Sequence, residues 1–95
     1  MINLQFFNIK IDKSKETKEV VIKGEVSNRT DRSYTAVALR IILFVKNIAI
    51  ANVIVLVNGL SAGTTKEFEK TVDELQYDAI AKDITRYEIY TESAY

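Results

Sequence analysis

The chain has 95 residues, the size of one domain. Thirteen Lys and Arg balance thirteen Asp and Glu, so no excess of cations is left to displace the counterions condensed on duplex DNA. With no Cys and no His, the sequence excludes a disulfide framework, thiolate zinc, Cys nucleophiles and imidazole acid–base chemistry.

Val, Ile and Thr make up 29 of the residues, and such an excess of β-branched side chains favours strands over helices. Residues 3–12 open with two interleaved apolar sets. Leu4 and Phe6 share one parity and Phe7, Ile9 and Ile11 the other. The second set is longer, which predicts Phe7, Ile9 and Ile11 on the core face of a first strand. Residues 13–18 are polar and charged, a loop. Residues 19–28 alternate cleanly: Val20, Ile22, Gly24 and Val26 face inward, Lys23, Glu25 and Ser27 outward, and Val21 is the exception. A glycine at inward parity lets a large neighbour approach the backbone or marks a bulge. Residues 28–33 are turn formers.

A long third strand spans residues 34–46, with Thr35, Val37, Leu39, Ile41, Leu43 and Val45 on one face. Ala36, Ala38, Ile42 and Phe44 lie on the other, with Arg40 among them. Asn47 is the only strong turn former before a fourth apolar strand at residues 48–57, so the pair reads as a hairpin turning near Lys46 and Asn47. Arg40, Lys46, Asn47 and Asn52 interrupt the apolar stretch, and two adjacent strands are expected there instead of a membrane span. The Asn58-Gly59 pair signals a tight hairpin, but the following Leu60 to Thr64 carries its own glycine and favours a loop over residues 58–64. Residues 65–72 form a fifth strand with Phe68 and Val72 inward. Lys66 and Lys70 share that inward parity, which suits an edge where their stems reach water.

Residues 73–83 break the alternation. Asp73 and Gln76 have the spacing of a capping box, and Leu75, Ala79 and Lys82 follow helical spacing, so a short helix is predicted there. A final strand follows over residues 84–92, with Tyr87, Ile89 and Thr91 on one face and Arg86, Glu88, Tyr90 and Glu92 on the other. The expected fold is a single all-β domain over residues 1–95, an antiparallel immunoglobulin-like sandwich of six to seven strands with that one minor helix.

The order of motifs resembles the FxLYD family of small immunoglobulin-like domains. The likeness rests on Val20-x-Ile22-x-Gly24-x-Val26-x-Asn28 and the apolar strand from Leu39 to Lys46. It continues through Leu60-x-x-Gly63 and Phe68 to Tyr87-x-Ile89, and covers residues 19–92. Val45-Lys46 stands where the family has Tyr-Asp, and the turn glycine that follows is absent. The resemblance implies a noncatalytic accessory module, often associated with the cell envelope.

The residues themselves offer little chemistry. Asp73, Glu74, Asp78 and Asp83 cluster near the predicted helix, with Glu74 and Asp78 one turn apart. A solvated helix face explains them better than a cation site, since the spacing matches no calcium loop. Lys10, Lys13, Lys15 and Lys18 lie near one end of the second strand and Arg29 and Arg32 near the other, so they form no single basic stripe. No cofactor, metal site or catalytic residue is expected. The unusual feature is the apolar second face of the central hairpin, and the interface candidates are Arg40, Ile42, Phe44, Ile48, Ile50 and Ile54. The expected function is a noncatalytic interaction or structural module that self-associates, most simply as a two-fold dimer, or binds another protein. The alternative is an OB-like barrel that binds a small ligand or single-stranded nucleic acid. Nucleic acid is not the expected partner. The start of the chain has no signal-peptide pattern, which favours a cytoplasmic location, with an extracytoplasmic one left open.

Overall fold

Six antiparallel strands form two three-stranded sheets in a computed structural model that describes residues 4–76 and 83–95. In chain order they are β1 (Leu4–Lys13), β2 (Glu19–Asn28), β3 (Tyr34–Val45), β4 (Ile48–Leu60), β5 (Thr65–Gln76) and β6 (Arg86–Ala94). One sheet has the order β1-β2-β5 and the other β4-β3-β6. The two hairpins, β1–β2 and β3–β4, stay within a sheet, and every other connection crosses to the opposite layer. This is an all-β sandwich of two separate sheets, so the barrel required by the OB-like alternative is not the architecture adopted.

The core lies between the layers, where the inward parities of the central strands meet. Val20, Ile22 and Val26 of β2 pack against Val37, Leu39, Ile41 and Leu43 of β3, all with no exposed surface. Each such side chain contributes about 1.5–3 kcal/mol by leaving water. Phe68 and Val72 of β5 and Val55, Val57 and Leu60 of β4 complete the cluster. The close approach anticipated at Gly24 is present: it lies opposite Phe68, and a Cβ placed on it would collide with Ile9 Cδ1 and sit 2.8 Å from Phe68 Cζ.

Three expectations change. First, β1 does not keep one parity. Its pairing with β2 shifts between Phe7 and Lys10, and Asn8 takes φ 53° at the bulge. The extra residue switches faces, so Leu4 and Phe6 before it and Ile9 and Ile11 after it all pack on the core. Phe7 is turned outward, where the Arg29 guanidinium lies 5.9 Å from its ring centroid.

Second, the predicted helix does not begin at Asp73. Residues 73–76 are the end of β5, with Gln76 opposite Glu19 and Leu75 packed against the core. Strand pairing with β2 overrides the local capping-box signal, which supplies only one turn's worth of stabilisation. Residues 77–82, the rest of that prediction, lie outside the described residues. No α-helix occurs among the described residues.

Third, β4 runs three residues past its expected end. Asn58 and Gly59 stay in the strand, with Gly59 at φ 75°, and the loop is confined to residues 61–64. The reason is Asn28. Its backbone N–H donates to the Thr64 carbonyl (2.9 Å) and its carbonyl accepts from Gly63 N–H (2.8 Å), while its side-chain amide donates to the Leu60 carbonyl (3.0 Å). The end of β2 thereby holds the end of β4, across the sandwich, in extended form.

Candidate functional site

Of the six interface candidates, four share one surface. β3 runs between β4 and β6, and Arg40, Ile42 and Phe44 have the parity opposite to the core residues Leu39, Ile41 and Leu43. Arg40 lies opposite Ile54 on β4 and Tyr90 on β6; Ile42 lies opposite Asn52 and Glu88; Phe44 lies opposite Ala49 and Arg86. Ile48 is highly exposed at the β3–β4 turn. Ile50 differs: the register shifts between Leu43 and Phe44, leaving Ile50 without an opposite residue, and it packs partly buried against the core. Leu56, absent from the expected interface set, has the parity of Ile54 and is 68% exposed. Tyr90, also exposed, completes the apolar surface from the β6 side.

The charges of this surface neutralise one another. Arg40 donates to both carboxylate oxygens of Glu92, Nε to Oε1 at 2.6 Å and Nη2 to Oε2 at 3.0 Å, and Nη1 donates to Asn52 Oδ1. Such two-pronged geometry is specific to the planar guanidinium. Arg86 lies 3.8 Å from the Phe44 ring centroid and donates to Glu88 Oε2 at 2.6 Å. The stacked guanidinium covers the ring while its charge is matched. No signal in the sequence joins Arg40 to Glu92, because nothing local says that β6 pairs with β3.

The hydrogen bonds from Arg40 hold the Glu92 carboxyl below the usual carboxylate range, with partial burial opposing them. A lowered folded-state pKa means that the pair stabilises the fold above the ordinary carboxylate pKa and loses that effect as the pH falls through the Glu92 value. Chemical denaturation of the protein and of Glu92→Gln is therefore expected to differ at neutral pH and to converge in acid. A difference that persists unchanged in acid would remove the ion pair as its cause.

Elsewhere the described residues bring no reactive groups together. The acidic cluster is not gathered on a helix, since Asp73 and Glu74 are in β5 and Asp78 lies outside the described residues. Among the described residues no group of three or more acidic side chains is placed to hold a metal ion. A shallow depression of about 580 Å³ lies over Gly24, with Lys23, Glu25, Glu67 and Glu69 around it. Two pairs form around it: Asn8 Nδ2 donates to Glu25 Oε2 at 2.9 Å, and Lys23 Nζ lies 3.7 Å from Glu69 Oε1. Among the described residues no helix is long and apolar enough to cross a membrane. Lys18 and Arg29 sit at opposite ends of β2, so the two basic loops stay apart as expected.

Family models, curated proteins and solved structures were each compared with the chain, and none matches.

Proposed function

We propose that this domain is a noncatalytic interaction module that self-associates through the β4-β3-β6 sheet. The observation that carries the reading is the outer surface of that sheet. Ile54, Leu56 and Tyr90 are exposed, Ile42 and Phe44 are half-buried, and the interspersed charges are already paired. Covering such a surface takes its apolar groups out of water and leaves no unpaired charge behind, because its ions already have partners. The strand order supports an immunoglobulin-like assignment. The orders β1-β2-β5 and β4-β3-β6 follow A-B-E and C′-C-F of that architecture. The resemblance to FxLYD domains belongs to the same reading; two of the residues that carry it are Gly24, which Phe68 approaches closely, and Asn28, which donates to the Leu60 carbonyl.

Light scattering coupled to size exclusion tests the reading. A mass above 10.8 kDa, rising toward two chains over the micromolar range, is the expected result. A mass of one chain up to high micromolar concentration would overturn self-association.

A further inference from the structure

We infer that two copies of this chain join β6 to β6 in antiparallel fashion about a two-fold axis at Ile89, making one sheet of order β4-β3-β6-β6-β3-β4. The inference rests on the self-association proposed above, but places the contact at the edge of that sheet instead of on its outer face, and it names the register.

Each sheet has two edges, and they are not equally free. β4 and β5 pack beside each other, and the Lys66 ammonium donates to the Asn58 carbonyl across that side of the sandwich. β1 is interrupted in mid-strand by the bulge at Asn8, a common way of spoiling an edge for pairing, whereas the register shift of β6 falls at Glu92, near its end. β6 pairs only with β3 among the described residues, and the position beside it is the one that strand G fills in immunoglobulin-like sheets. This side of the sandwich is also the open one. Neither β1 nor β6 has a buried residue, whereas each of the other four strands does. Phe6, Ile9 and Ile11 of β1 and Ile89 of β6 reach the core only half-buried, and Tyr87, which faces inward opposite Leu43, is 41% exposed. A further strand beside β6 would cover them.

Charge selects both the occupant and the register. Arg86, Glu88 and Glu92 share the outer face, with Glu92 as the extra residue of a bulge turned toward Arg40. When β6 pairs with itself and Ile89 lies opposite Ile89, Arg86 lies opposite Glu92 of the second copy, and this happens twice. Glu88 then meets Tyr90, and Tyr87 meets Thr91. Centring the pair on Glu88 sets Glu88 against itself, and centring it on Tyr90 sets Glu88 against Glu92, again twice. Centring it on Tyr87 sets Arg86 against Glu88 but pairs only residues 86–88 of each strand, and centring it on Thr91 brings no opposite charges together. Like charges directly opposite are unfavourable and opposite charges favourable, so the Ile89 register is the one that joins opposite charges over most of the strand. Charges that would repel a foreign strand thus admit a second copy.

The chain has no cysteine, so single cysteines report pairing without background. Ile89→Cys is expected to form an intermolecular disulfide under mild oxidation. Tyr87→Cys and Thr91→Cys are each expected to fail alone, their counterparts being about 13 Å away by strand rise, and to couple when mixed with each other. By light scattering, Arg86→Glu and Glu92→Arg are each expected to weaken the dimer about tenfold. Their mixture is expected to restore it, because a mixed dimer carries two acids on one copy opposite two guanidinium groups on the other. Circular dichroism checks that both variants stay folded. A dimer with no disulfide at position 89, unaffected by Arg86→Glu but lost in Leu56→Glu, would overturn the edge pairing and leave face-to-face self-association standing. A monomeric unmodified chain would overturn both.

Discussion

Asn28→Ala is expected to destabilise the domain by about 3 kcal/mol, the largest effect of any single truncation of a polar side chain here. The residue is fully buried, and its side chain makes four hydrogen bonds. Nδ2 donates to the carbonyls of Arg32 (2.7 Å) and Leu60 (3.0 Å), and Oδ1 accepts from Thr30 N (3.0 Å) and Thr30 Oγ1 (2.6 Å). Truncation leaves the carbonyl of Leu60, a fully buried residue, without that donor. For a domain of this size each kcal/mol lowers Tm by about 4–8 °C, so thermal melting reads the loss directly. Asn28→Asp sharpens the test. It keeps the acceptor for Thr30 but turns an oxygen toward two carbonyls, so its stability is expected to fall further as the pH rises and the carboxyl ionises. An Asn28→Ala protein that melts within a few degrees of the original would show that the bond to Leu60 does not join the sheets as described.

Gly24→Val is expected to prevent folding, and Gly24→Ala to cost about 1–3 kcal/mol. The added Cβ would lie within 3 Å of both the Ile9 methyl and the Phe68 ring. The Ile9 methyl ends a flexible chain and can move. The Phe68 ring is buried and held opposite Gly24 in the β2–β5 register. Relief is therefore partial, and Ile9→Val, which deletes the clashing methyl, is expected to recover part of the Gly24→Ala loss. Urea denaturation of the two single variants and the double variant measures this coupling. Strict additivity would show that Ile9 and position 24 do not compete for the same space.

Much of this fold is legible in the residues, and the illegible parts share a cause. The bounds of β2 and the buried residues at inward parity, Val20, Ile22 and Val26 of β2, Val37 to Leu43 of β3 and Phe68 and Val72 of β5, follow from alternation, because one side of each strand's middle is buried; Thr35, at the inward parity of β3, is exposed. Alternation fails at β1, where Leu4 and Phe6 of one set and Ile9 and Ile11 of the other reach the core, Phe7 does not, and only a bulge accounts for the change of parity. Nothing in Phe6-Phe7-Asn8-Ile9 marks where the parity changes, though Asn tolerates positive φ better than its neighbours. It fails again at residues 73–76, where a local helix signal competes with a distant partner strand. The shared face of Arg40, Ile42 and Phe44 is legible from the apolar second parity of β3. Ile50 is not, because the bulge that turns it inward depends on the pairing of β4 with β3. The Arg40–Glu92 pair joins residues 52 positions apart, and only the strand order brings them together.

The order in which the strands are shared out has a consequence for the whole molecule. The first half of the chain supplies two strands to one layer and one to the other, and the second half reverses the proportion. Neither half owns a complete layer, so neither offers a finished surface on which the other could condense. Partial unravelling therefore has no natural stopping point short of both layers, and the two halves should be lost and regained together.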